Sequence, residues 1–159
     1  MRTVILATAL TLATATAASA GGKHHKKAHG NKADVRAVKT VIEKAYVRGV
    51  HIDRDGAAMR AGFHPDFVMF VRSDNKTLRS VTIEDWIKRM EAGKAKKPQT
   101  RAPNVRHKFL MVDVTGDVAV AKIAMHKDGV HIFTDYMTLY RFDEGWRIVG
   151  KVFQSHRRR

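Results

Sequence analysis

Residues 112–153 read VDVTGDVAVAKIAMHKDGVHIFTDYMTLYRFDEGWRIVGKVF. Four runs rich in Val, Ile, Thr, Phe and Tyr are separated by Thr115-Gly116-Asp117, Lys127-Asp128-Gly129 and Asp143-Glu144-Gly145. Branched and aromatic side chains suit a pleated, half-buried surface. Short Asp/Gly breaks supply the backbone freedom that tight hairpins need. Four runs on three such turns make an antiparallel meander, and 105–114 opens it. The rest of the chain has to cover a face of that sheet.

The upstream half carries a different period. Val35, Val38, Ile42, Ala45 and Tyr46 recur at spacings of three and four, which predicts one face of a helix. Asp34 is expected to cap it and Gly49 to end it. A second, shorter helix is expected from Asp53 to Gly62. Pro65 biases His64 toward extended backbone and admits a strand over 67–72 at its entrance. Residues 73–80 read as a polar turn. Thr82 with Asp85 resembles a capping box, and Ile83, Trp86, Ile87 and Met90 form the apolar stripe of a third helix ending at Gly93. Residues 94–104 are a basic loop with two prolines. The order is helix, helix, strand, helix and four strands. This predicts an α+β fold, a curved antiparallel sheet packed against three N-terminal helices.

The ends of the chain bear on its address and partners. Met1-Arg2, an acid-free apolar run over 4–18 and Ala18-Ser19-Ala20 have the layout of a secretory signal peptide over 1–20. The run is too short to span roughly 30 Å of hydrocarbon. Secretion or a periplasmic location after cleavage is the expectation. Residues 21–33, GGKHHKKAHGNKA, should be a disordered basic arm, and 34–159 a single domain. His24, His25 and His29 do not have the spacing of a tetrahedral site, so no dedicated metal is expected. The chain contains no cysteine, which excludes thiolate catalysis and disulfides. Its formal net charge of +15 favours electrostatic adhesion to anionic surfaces. The basic segments 21–33 and 94–101 lack the aromatics on which bases stack, so no specific nucleic acid is expected. No glycine-rich phosphate loop, helical histidine pair or Gly-x-Ser-x-Gly elbow calls for a cofactor.

Several short motifs in order carry a resemblance. They are Tyr46 with Gly49, Phe63-His64-Pro65-Asp66-Phe67, Asp85-Trp86-Ile87, Val114-Thr115-Gly116-Asp117-Val118-Ala119, Phe133-Thr134-Asp135-Tyr136 and Gly145-Trp146-Arg147-Ile148-Val149. Over about 34–153 the chain resembles the nuclear transport factor 2-like superfamily, within it the families named for lumazine binding and for polyketide cyclases. The resemblance implies a cone-shaped α+β fold with a pocket between the helices and the concave sheet face. It also implies an acidic general base late in the first strand of the isomerase members. Here Val71 stands at that position, which argues against isomerase chemistry of that kind. Dehydratase-like members use a His–Asp pair, which Asp135 with His64 or His131 would imitate.

Hairpin register says which residues reach such a pocket. A three-residue loop Asp143-Glu144-Gly145 would pair Phe142 with Trp146, Met137 with Lys151 and Asp135 with Phe153. Alternation then puts His131, Phe133, Asp135, Met137 and Leu139 on one face with Val149, Lys151 and Phe153. Asp135 and Lys151 become diagonal neighbours on an otherwise apolar surface, where each needs a partner. They are either a ligand site or a structural ion pair. Tyr46 is a further hydrogen-bond donor and His64 a candidate proton shuttle. The expected ligand-binding set is therefore Tyr46, His64, Phe133, Asp135, Met137, Lys151 and Phe153. His51, His126 and His131 are expected at the surface. The opposite face, with Ile132, Thr134, Tyr136, Tyr140, Trp146 and Ile148, is apolar enough to predict a homodimer. Three functions stay open: an exported small-molecule binder, a lyase or isomerase using acid–base groups in the same pocket, and a polyanion-binding surface protein.

Overall fold

The computed structural model describes residues 31–74, 76–98 and 100–156. The expected signal peptide and most of the basic arm lie outside the described residues. Helix α1, Lys32–Val41, runs without a break into α2, Ile42–Ile52. The second part is wound as a π-helix, continued by Asp53 N–H donating to the Arg48 carbonyl at 2.7 Å, five residues back. Helix α3 is Gly56–Gly62 and α4 is Ile83–Lys96. The strands are β1 Phe63–Arg72, β2 Leu78–Thr82, β3 Val105–Thr115, β4 Val118–Lys127, β5 Val130–Phe142 and β6 Gly145–Ser155.

Six strands form one sheet in the order β2-β1-β6-β5-β4-β3. The meander is as expected, but the sheet is mixed, because β6 lies parallel to β1. The polar stretch 73–80 is only partly a turn. Its second half is β2, paired antiparallel with β1 from Val68↔Thr82 to Arg72↔Leu78. This pairing is hidden in the sequence because β2 is an edge strand with only Val81 buried.

Local chemistry explains the remaining shifts. Asn31 caps α1, accepting from Ala33 N at 2.7 Å and Asp34 N at 3.0 Å. The Asp34 carboxylate is instead engaged by Arg141 at 2.7 Å, which ties α1 to the β5–β6 hairpin. Asp55, two residues later than expected, caps α3. Thr82 caps α4 as expected, but Gly93 does not stop that helix, which continues to Lys96. Gly49 does not end a helix; it is buried inside α2 where Met59 and Ala58 of α3 approach. Gly62 has the same use: a Cβ there would collide with the Ala45 Cβ.

Each antiparallel pair of the meander carries one bulge. Leu110, Ile132 and Val149 are the extra residues in β3, β5 and β6. Bulges bend and twist a sheet, and here they bend it around the helices. The hydrophobic core fills the concave side. Val38, Ile42 and Tyr46 from the long helix meet Phe63, Phe67, Ile87, Met137, Leu139 and Ile148 there.

The last bulge corrects the hairpin register. The β5–β6 loop has two residues, so Phe142 pairs with Gly145 and Arg141 with Trp146. Val149 then restores the register, so Met137 pairs with Lys151 and Asp135 with Phe153, as expected. Because the slip occurs at Val149, Ile148 and Trp146 turn into the core rather than onto the outer face. Ile132 is also buried. The outer face keeps Thr134, Tyr136 and Tyr140.

Candidate functional site

Tyr46, Asp135 and Lys151 meet inside the cone. Asp135 on β5 is fully buried, and Tyr46 on α2 and Lys151 on β6 are 1% and 6% exposed. The Tyr46 hydroxyl donates to Asp135 Oδ2 at 2.7 Å. The Lys151 ammonium pairs with Asp135 Oδ1 at 2.7 Å. One carboxylate therefore holds two donors that lie far apart in sequence, on facing layers of the fold. The π-helical winding of α2 is local to Tyr46, and such windings recur at functional sites in other helices.

The surroundings of the ammonium are apolar. Lys151 Nζ lies 4.2 Å from the centre of the Phe153 ring, 5.3 Å from Tyr46 and 5.9 Å from Trp86. Its other polar contact among the described residues is Met69 Sδ at 4.0 Å, a weak acceptor. Aromatic faces attract a cation, which offsets part of the cost of taking it out of water. Trp86 joins Phe63 and Phe67 in one aromatic group, with ring centres 5.8 and 6.1 Å away. Phe133 packs edge-on against Phe153 at 5.4 Å. Phe133, Phe153 and Trp86 are half-buried, so an aromatic rim lies next to a fully buried polar base.

Burial and charge act in opposite directions on the base. Burial pushes the Lys151 ammonium below the ordinary lysine value, and the Asp135 charge and hydrogen bond work against that shift. Burial also pushes the Tyr46 phenol well above its ordinary value, with the charge of Asp135 and its hydrogen bond adding to the rise. At neutral pH Tyr46 is thus a proton-bearing donor, and Lys151 has an amine whose proton is held less firmly than a surface lysine's.

Six of the seven residues expected in the site are in this region. Tyr46, Asp135 and Lys151 touch; Phe133 and Phe153 belong to the rim; Met137 is buried and pairs with Lys151. His64 is not among them. Its ring stacks on Phe142 at 4.7 Å, and its Nδ1 accepts from the Asp66 N–H at 3.1 Å. Phe142 lies seven residues along β5 from Asp135, about 23 Å at the usual strand rise. His131 does not meet Asp135 either, because the bulge at Ile132 turns it away. It reaches the Thr134 hydroxyl at 3.1 Å and lies beside His126 and His156. The Asp135 oxygens are held by Tyr46 and Lys151, so the His–Asp pair that the resemblance implied is not formed. His51 is half-buried rather than superficial, edge-on to Tyr46 at 4.8 Å. Trp86 and Met69 were not expected in the site. Trp86 shows in the sequence as part of a helix stripe and of the Asp85-Trp86-Ile87 motif, and no local pattern announces which strand that stripe will face. Among the described residues no group of three His, Cys, Asp or Glu side chains is placed to hold a metal ion.

Known proteins place this architecture. The chain is similar to three NTF2-like proteins of unknown function. The one from Shewanella baltica OS155 has a TM-score of 0.65 at 22% identity, covering 81% of this chain and 98% of that one. The one from Silicibacter pomeroyi DSS-3 has a TM-score of 0.61 at 23% identity, with 77% and 95% covered. The one from Methylobacillus flagellatus KT has 0.59 at 24%, with 80% and 96% covered. At these identities the likeness shows the fold. Among curated proteins none matches the chain. The model of one protein family, described as "Putative lumazine-binding", matches residues 33–154. With that match over nearly the whole domain, and the NTF2-like cone beneath it, the chain belongs to the putative lumazine-binding family.

Proposed function

We propose that this protein is an exported receptor for a small molecule, held in the cone over Tyr46, Asp135 and Lys151. The observation that carries the reading is the buried polar trio enclosed by aromatic side chains. A few convergent polar groups in an apolar surround are the usual makeup of a ligand site. The ligand is compact, with an apolar or aromatic body for the rim formed by Phe133, Phe153 and Trp86. It also carries an acceptor oxygen or anionic group for Lys151. Lumazine is the first compound to test, since the family is described by it.

Native mass spectrometry of protein purified from its own source should show one small molecule per chain, released on unfolding. The same spectrum should give the mass of a chain beginning at Gly21, as the Ala18-Ser19-Ala20 site predicts. Titration with lumazine should perturb Trp86 emission, and Lys151→Arg should weaken binding about tenfold, the equivalent of one lost hydrogen bond to a charged group. A ligand-free protein that shows no response to lumazine would remove the reading.

The homodimer belongs to the same proposal. Phe70, Val118, Tyr136, Tyr140 and Val152 stand exposed on the outer sheet face. Among them is an apolar depression of about 260 Å³ lined in part by Val68, Phe70, Val120, Tyr136, Thr138 and Val152. A second copy brought up by a two-fold axis would cover this surface.

A further inference from the structure

We infer that Lys151 is a carbonyl-capturing amine: it forms a Schiff base with a small aldehyde or ketone admitted to the cone, with Asp135 accepting and returning the proton. The inference rests on the ligand-site reading above and names the class of compound the site takes.

The geometry has the parts that this chemistry needs. A nucleophilic lysine has to be desolvated, close to a base and free of competing acceptors. Lys151 Nζ is buried, with one carboxylate oxygen at 2.7 Å. Its other polar and ring contacts among the described residues are ring faces and a thioether, none of which ties down an amine lone pair once the proton has left. The depressed proton affinity of the ammonium that burial brings acts in the same direction. A purely structural ion pair usually satisfies its remaining donors with hydrogen bonds. Among the described residues, Asp135 alone offers this ammonium an oxygen acceptor, and the one other acceptor is the Met69 sulfur.

The step balances. The ammonium passes one proton to Asp135 and becomes a neutral amine. Its lone pair adds to the carbonyl carbon as the carbon–oxygen π bond breaks, and the oxygen collects protons from the new nitrogen centre and from Asp135. The carbon–oxygen bond then breaks, water leaves, and a protonated imine remains. Charge is conserved: an ammonium and a neutral carbonyl give an iminium and water, with Asp135 again a carboxylate. The iminium replaces the ammonium opposite Asp135, so the buried charge stays paired. Tyr46, hydrogen-bonded to the other carboxylate oxygen, is a positioning residue that keeps Asp135 turned toward the nitrogen.

Brief treatment of the wild-type protein at pH 7 with acetaldehyde and sodium cyanoborohydride tests this directly, because reduction fixes the imine as an alkylamine. Peptide mapping then compares Lys151 with exposed lysines such as Lys88 and Lys96. Burial loosens the hold of Lys151 on its proton, so Lys151 should be alkylated faster than the exposed lysines. Its rate should level off at lower pH than theirs, and unfolding in urea should abolish the advantage. Lys151→Arg, which keeps the charge opposite Asp135, should leave only the slow surface reaction. A Lys151 labelled more slowly than Lys88 and Lys96 in the folded protein would overturn the inference. If lumazine or a source-derived ligand still bound in that case, the receptor reading would survive and only the covalent step would fail. If neither ligand nor label were found, both would fail together.

Discussion

At the scale of single residues, the Asp135–Lys151 pair sets the energetics of the cone interior. Two charges taken from water at this depth recover their desolvation cost only while both are present. Breaking such a pair costs on the order of 3–5 kcal/mol, while replacing both members by neutral groups of similar volume is often close to neutral. Lys151→Met should therefore destabilise the fold by about that amount in urea titrations. Adding Asp135→Asn should restore most of it, since the asparagine amide still offers an oxygen to Tyr46. A double variant no more stable than Lys151→Met would show that the charge on Asp135 is not the source of the loss.

Tyr46 adds a pH signature at the same scale. Its folded value is raised above the ordinary 10.0. Above pH 10 the unfolded chain gives up this proton while the native chain keeps it, so the native state binds more protons. Stability from Tyr46 is full below pH 10 and is lost as pH climbs toward the folded value. Lys151 has the opposite sign. Its folded value lies below the ordinary 10.5, so stability rises with pH between the two values. Tyr46→Phe should remove the alkaline decline while leaving the Lys151 rise. Urea midpoints measured from pH 7 to 11 would show the wild-type and variant curves converging at the alkaline end.

At the scale of elements, the site depends on how closely the α2–α3 corner packs. Gly62 lets α3 lie against Ala45, one residue before Tyr46. A Gly62→Val side chain has no space there. It should cost about 1–3 kcal/mol, the usual range for overpacking. It should also loosen the Tyr46–Asp135 hydrogen bond by moving the helix that carries the phenol. A melting temperature matching wild type would mean that the corner absorbs the added volume. The hairpins contribute in a different way. Asp128 and Gly129 both take positive φ, 51° and 81°, as a two-residue turn of the twisted kind requires. The β4–β5 register, and so the depth of Asp135, begins at that turn.

At the scale of the whole molecule, helices fill one face of the sheet and, among the described residues, no element covers the other. The open face shows Phe70, Tyr136, Tyr140 and Val152, each more than a third exposed. Contiguous apolar area of this kind usually marks an interface. Light scattering at micromolar concentration should report a dimer. Tyr136→Glu should yield a folded monomer, because the change touches the outer face and leaves the cone interior intact. A wild-type monomer at that concentration would count against the interface. The +15 charge of the chain also predicts retention on anionic surfaces that weakens steeply as salt is added.

Local chemistry determined much of this molecule from the sequence alone. Period-two runs and Asp/Gly breaks specify the meander, because alternation and turn conformation are properties of a few adjacent residues. Period-three-and-four stripes specify the helices for the same reason, whereas counting from the β5–β6 turn puts Asp135 and Lys151 on one face only because the two-residue loop and the Val149 bulge together offset the expected three-residue loop. Other features needed the folded chain. Edge strand β2 is held by backbone pairing that its polar side chains do not advertise. The Val149 bulge, which sends Ile148 and Trp146 inward, is set by how the sheet curves over the helices. The choice of Tyr46 and Trp86, rather than His64, as neighbours of Asp135 and Lys151 follows from which helix lies over which strand. The Tyr46–Asp135 contact spans 89 residues of chain and the Tyr46–Lys151 contact more, and no local pattern encodes them. Only the tertiary packing of helices on the concave sheet decides which polar groups share a dry interior.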